Sequence, residues 1–237
     1  MDYNALHAAR AAELLNIDGK QVLTVGCGTG RDSAYFLPHN PRVVHGVDVL
    51  PSVGKDFADK RAHYLRASVT SLPLRDNSYD LTYCFATLEH VANIDTAFQE
   101  IVRVTKPGGF IYCLSAPLWY ASKGHHMAIF FDYPWIHLRH DKQGVLQFAE
   151  ESGLKHDTVP MPALVDYMFS DTYFNKQHAR RYVEICESLP SVIILQNDLQ
   201  FDPITDDSRD ILVELINKGH DRDDLLASVH TFIAKKL

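Results

Sequence analysis

One stretch constrains the fold of this chain more than any other. Val22, Leu23, Thr24 and Val25 form a short apolar run, Gly26, Gly28 and Gly30 follow it directly, and residues 33–37 then open a helical pattern. A strand, a glycine turn and a helix in that order bring backbone N–H groups close to a ligand. Glycine is needed because a Cβ blocks positive φ angles and close approach. A second strand, residues 43–48, ends in the carboxylate of Asp48. A carboxylate there accepts hydrogen bonds from a ribose diol, which does not distinguish between nucleoside cofactors.

The rest of the chain supplies an alternation of strands and helices. Residues 21–25, 43–48, 63–67, 81–85 and 110–114 read as strands 1 to 5, and 154–159 as a sixth. Helices are predicted over 2–16, 51–60, 141–152, 175–189 and 207–217. Another begins at an Asn93 cap and runs through Ile94, Ala97, Phe98, Ile101 and Val104 to the stop Lys106-Pro107-Gly108-Gly109. Asp221 caps a last helix through Leu225, Leu226, Val229, Phe232 and Ile233, while 191–196 fits a strand or a helix end. Such alternation gives a parallel, doubly wound sheet with its ligand at the carboxyl ends of strands 1, 2 and 4.

The glycine spacing is G-x-G-x-G, with Arg31 where a dinucleotide fingerprint keeps its third glycine. That argues against a nicotinamide-dependent reductase. The stretch V-L-T-V-G-C-G-T-G-R, Asp48, the later L-P-L…Y-D, Leu88-Glu89-His90-Val91 and K-P-G-G together resemble the methyltransferase type 11 group of class I S-adenosylmethionine-dependent methyltransferases. The resemblance covers roughly residues 20–115. It implies a Rossmann-like, doubly wound, mostly parallel seven-stranded α/β sheet with helices on both faces, S-adenosyl-L-methionine as cofactor, and a contact set of Thr24, Gly26, Cys27, Gly28, Gly30, Asp48, Val49, Ser68, Val69, Phe85 and Ala86. Thr24 and Ser68 stand where the family usually keeps acids, and Asp32 is the candidate to compensate for Thr24. These two departures motivate an alternative, a non-catalytic domain of this fold that serves as a binding or assembly module.

Composition narrows the partners. The chain has 237 residues, is 46% hydrophobic and carries a formal net charge of −7. An acidic balance with no Lys/Arg run counts against a dedicated nucleic-acid binder. No apolar run approaches the ~18 residues of a membrane span, and Met1-Asp2-Tyr3-Asn4 lacks the basic and apolar regions of a signal peptide. The four cysteines, Cys27, Cys84, Cys113 and Cys186, form no C-x-x-C pair and read as reduced, buried side chains. The expected location is cytoplasmic.

Residues 115–140 are unusual for a plain connection. They hold both tryptophans, Trp119 and Trp135, with Tyr120, His125, His126, Phe130, Phe131, Tyr133 and His137. Following strand 5, they are read as the acceptor-substrate segment, with Trp119, Tyr120 and Trp135 as pocket walls and Tyr3 and His7 contributing from the N-terminal helix. Methyl transfer to oxygen needs a base, and histidine titrates near neutrality. His90, after strand 4, and His125 and His126, in the Gly124 turn, are the catalytic candidates, and loss of His125 or His126 is expected to lower turnover while sparing cofactor binding. His125, His126, Asp132, His137, His140 and Asp141 match no metal-ligand spacing, so no metal is expected. The organisation is then a core over 1–160 with the acceptor segment 115–140 inserted, and a mostly helical C-terminal extension, 161–237, that packs on the same domain or forms a contact between two copies. The expected activity is O-methylation of a small hydroxylated acceptor, a sugar or a natural-product intermediate.

Overall fold

The computed structural model describes residues 3–237. Met1 and Asp2, with which the signal-peptide reading and the predicted first helix begin, lie outside them. Strands β1 (Gln21–Val25), β2 (Val43–Asp48), β3 (Ala62–Arg66), β4 (Tyr79–Phe85), β5 (Thr105–Ser115), β6 (Val192–Phe201) and β7 (Ala227–Lys236) form one sheet in the order β3-β2-β1-β4-β5-β7-β6. β1 to β5 are parallel, and β7 runs antiparallel between β5 and β6. The right-handed crossovers that parallel strands require put the carboxyl ends of β1, β2 and β4 on one edge, where the ligand was expected.

Side chains of a strand alternate between faces, and here each central strand feeds two cores. Val22, Leu81, Tyr83, Tyr112 and Ile233 pack with Ala8, Ala11 and Ala12 of α1 (Tyr3–Leu15) and Phe36 of α2 (Arg31–Phe36). Leu23, Cys84, Ile111, Cys113 and Phe232 face the other way, onto Ala97, Phe98 and Ile101 of α3 (Ile94–Val104) and Tyr182 and Cys186 of α4 (Ala179–Glu187). All four cysteines are buried and free. Asn93 caps α3 by accepting the Thr96 N–H at 3.0 Å, as its position predicts.

The C-terminal extension departs from expectation. It holds helices, but it also completes the sheet with β6 and β7. The final helix, α5, is only Arg222–Leu226, and Val229, Phe232 and Ile233 belong to β7. A strand buried on both faces shows a continuous apolar run, which also satisfies helical spacing. The predicted strand over 154–159 is a mostly exposed loop, its positions 155–158 being Lys, His, Asp and Thr. The predicted helix over 51–60 is a series of turns. Lys106 to Gly109 do not end the helix but lie in the first part of β5, where Lys106 pairs with Asp80 at 2.8 Å.

One cation locks the late strand to the core. Lys236 of β7 donates to the carbonyls of Val102 (2.8 Å) and Thr105 (2.9 Å) and to Asn77 Oδ1 (2.7 Å), which caps the C-terminal end of α3. Lys236→Met keeps the stem and removes the donors. A loss of about 1–2 kcal/mol is expected, read as a fall of about 4 °C in Tm by calorimetry.

Candidate functional site

The site is built from the ends of β1, β2 and β4. After Val25 the chain turns through Gly26, whose N–H donates to Val47 O at 2.8 Å. Asp48 closes the turn from the next strand: its Oδ2 accepts the Gly28 N–H at 2.8 Å and its Oδ1 the Leu50 N–H at 2.9 Å. A carboxylate offers about four acceptor positions, so capacity remains for a ligand. Gly28 has φ +55°, and a Cβ there would meet no atom within 4 Å; it borders open space. Gly30 differs. At φ +101° its Cβ would lie 2.8 Å from the Tyr64 ring, so this glycine makes room for a neighbouring side chain.

Two cavities meet at this turn, sharing Gly26, Gly28 and Ala86. The larger, 590 Å³, is bordered by Asp48, Val49, Ser68, Val69, Ala86 and His90. The smaller, 290 Å³, is bordered by Asn4, Cys27, Arg31, Asp32, Phe85 and Ala86. Of the predicted contact set, Gly26, Cys27, Gly28, Asp48, Val49, Ser68, Val69, Phe85 and Ala86 border one or both. Thr24 and Gly30 border neither. Thr24 is buried under the turn and donates to His45 O at 3.2 Å, while Asp32 reaches the smaller cavity. Burial, with Asp48 and Asp32 nearby, pushes the Cys27 thiol up to about 12, so it stays protonated.

The predicted histidines divide. His90, at the end of the 3-10 turn Leu88–His90, borders the larger cavity. His126, 36 positions later, brings its ring to 4.9 Å from that of His90. His126 adopts φ +60°, a left-handed conformation that costs a non-glycine residue about 1–2 kcal/mol. Burial lowers the His90 pKa and takes His126 down to about 4, so both are neutral imidazoles at neutral pH. His125 does not join them. It is fully buried, its Nδ1 accepts the Met127 N–H at 3.0 Å, and it borders neither cavity.

The aromatic segment mostly packs. Trp135 is buried against Leu212, Leu215 and Leu225 and donates its indole N–H to Leu225 O at 3.1 Å. Tyr120 stacks on His178, and Trp119 lies against His137 and Phe174. None of the three borders either of these cavities. Tyr3 stays close, with its ring 5.8 Å from Phe85, and His7 is buried in a 2.6 Å hydrogen bond to Tyr112. Among the residues at or beside the larger cavity that sequence reasoning does not single out, Thr172, Tyr173 and Glu89 carry polar groups, those of Tyr173 and Glu89 close to His90. Thr172 and Tyr173 come from a loop with no periodic signal. Glu89 sits in the Leu88-Glu89-His90-Val91 motif, where sequence alone does not reveal its burial. It is 2% exposed, and burial pushes its carboxyl up to about 8, against the lowering effect of the nearby Glu89 and Ala116 N–H groups.

A family model described as "Methyltransferase domain" matches residues 23–113, which span β1 to β5 and include the turn, Asp48, Ser68 and His90. Residues 23–113 thus carry a methyltransferase domain. It is 35% identical over 124 residues to an uncharacterized methyltransferase of Mycobacteroides abscessus, covering 48% of this chain and 46% of that one. It is 33% identical over 96 residues to the malonyl-[acyl-carrier protein] O-methyltransferase of Serratia marcescens, covering 39% of this chain and 37% of that one. The chain thus spans less than half the length of these curated relatives. Among solved structures, an S-adenosylmethionine-dependent methyltransferase from Mesorhizobium loti superposes with a TM-score of 0.59 at 16% identity, covering 97% of this chain and 98% of that one. The methyltransferase domain contributes both cavities' shared floor, whereas His126 and Tyr173 lie beyond the matched residues.

Proposed function

We propose that this chain transfers a methyl group from S-adenosyl-L-methionine to an oxygen of a small hydroxylated acceptor, a sugar or a natural-product intermediate. The observation that carries the reading is the Asp48 carboxylate, fixed by two backbone N–H groups on the wall of a cleft whose glycine turn leaves space for a ligand. The residues present fit the cofactor: Asp48 for the ribose hydroxyls, Val49 and Val69 as apolar flanks for the adenine, Ser68 as a neutral partner at its edge, and the Gly26–Gly28 turn with Asp32 around the amino-acid part. When bound, the sulfonium supplies an already activated methyl group.

The protein's work is then placement. Phe85 and Ala86, at the end of β4, border the middle of the cleft, where donor and acceptor would meet. His90 borders the cleft as a neutral imidazole suited to receive a hydroxyl proton, and the neutral His126 ring lies beside it. The net charge of −7 favours a small molecule over nucleic acid. Among the described residues no helix is long and apolar enough to cross a membrane.

Isothermal titration with S-adenosylmethionine and with S-adenosylhomocysteine tests the reading. Micromolar binding of both is expected, and Asp48→Asn should weaken each by about ten- to a hundredfold, the worth of a hydrogen bond to a charged group. A folded protein that binds neither would instead be the non-catalytic module.

A further inference from the structure

The cluster beside the acceptor end of the cleft has the features of an ion site. Neither oxygen of the buried Glu89 carboxyl makes a hydrogen bond of ordinary geometry; the Glu89 and Ala116 N–H groups lie nearby without closing one. His90 Nε2 lies 3.9 Å from Glu89 Oε1. One ligand atom each from Glu89, His90 and His126 falls within 4.8 Å of the others. Both imidazoles are oriented from behind. His90 Nδ1 is 3.1 Å from Tyr173 O and His126 Nε2 is 2.9 Å from Pro117 O. A carbonyl only accepts, so those nitrogens carry the protons, and the lone pairs fall on His90 Nε2 and His126 Nδ1. An imidazole that donates its far N–H to a backbone carbonyl is the usual arrangement behind a metal-bound histidine. The strained backbone of His126 is of the kind found at ligand clamps.

We propose that Glu89, His90 and His126 bind one divalent transition-metal ion through two imidazole nitrogens and one carboxylate oxygen. Two nitrogens and one oxygen suit Zn²⁺, Co²⁺ or Fe²⁺ better than Mg²⁺ or Ca²⁺, which prefer all-oxygen shells. Ligand atoms around a tetrahedral ion stand about 3.4 Å apart, so loading draws the three side chains together by about 1 Å. Three protein ligands leave coordination positions open, and His90 borders the cleft. On the methyl-transfer reading, on which this step rests, the ion takes the one free lone pair of each histidine, so in the loaded site neither acts as base. The open positions instead take the acceptor's oxygen, whose hydroxyl proton is released to solvent, and select acceptors able to chelate, such as vicinal diols and hydroxy acids.

The test uses the full chain, stripped with EDTA and free of cofactor. Co²⁺ is titrated in, followed by calorimetry and by visible d–d absorption, and Zn²⁺ is used to displace it. The expected result is one ion per chain at micromolar affinity or tighter, with Glu89→Gln and His126→Asn each weakening it by about a hundredfold. Asn tolerates the left-handed backbone, and circular dichroism verifies both folds. His156→Ala, at an exposed loop histidine, should change nothing. No binding of either ion at millimolar concentration, or binding that survives both substitutions, overturns the proposal. Because cofactor is absent, failure here leaves the S-adenosylmethionine titration to stand or fall by itself.

Discussion

Gly28→Val is expected to leave a folded protein that no longer takes up S-adenosylmethionine. A side chain at Gly28 meets no protein atom within 4 Å, so nothing in the fold opposes it sterically. The cost to stability is the φ of +55°, about 1–2 kcal/mol for an L-residue. The cost to binding is larger, because the new branched side chain fills the space on which both cavities border. At least a hundredfold loss of affinity by calorimetry is expected, which is about 2.7 kcal/mol. Unchanged affinity would mean that the ligand does not approach this turn, and would remove the cleft from the proposed function.

Phe232→Ala is expected to have the largest effect on stability. Phe232 is fully buried in β7 and meets the Phe98 ring edge to face at 5.7 Å. Removing a buried phenylalanine costs about 3–5 kcal/mol in lost transfer energy and residual cavity. For a domain of this size the Tm should fall by about 10 °C. The measurement also tests the assignment of β7: were this segment an appended surface helix, the loss would stay near that of a peripheral contact, about 1 kcal/mol.

The parallel half of the fold was legible in the sequence because each element carried its own signal. Val22 to Val25 with their glycines, the acid ending β2, and the Asn93 cap with α3's apolar stripe are local patterns, and the structure keeps all of them. The residues that border the two cavities were legible where they lie on those elements. What failed did so for physical reasons. β7 is buried on both sides, so its periodicity is silent between strand and helix. Trp135 and Tyr120 looked like pocket walls by composition, but aromatic side chains pack a satellite core equally well, and sequence cannot tell which surface they cover. Thr24 has the motif position of a cofactor contact, while its side chain is buried under the turn and bonds to His45 O. Tyr173 and the meeting of His90 with His126 depend on tertiary contacts across many residues, for which a single sequence holds no signal.

The placement of β7 has a consequence for biosynthesis. β5 pairs on one side with β4, made shortly before it, but its other neighbour is β7. Roughly 120 residues of synthesis separate the two, about ten seconds at ordinary elongation rates. During that interval the growing chain carries the half that holds the candidate site, with an open strand edge beside Tyr112 and Leu114. It then adds β6, whose Ile193 and Leu195 remain exposed even in the finished sheet, before the strand that belongs between them exists. Premature β5–β6 pairing is the trap this order creates, and the ribosome-bound intermediate is where a chaperone would have most to do.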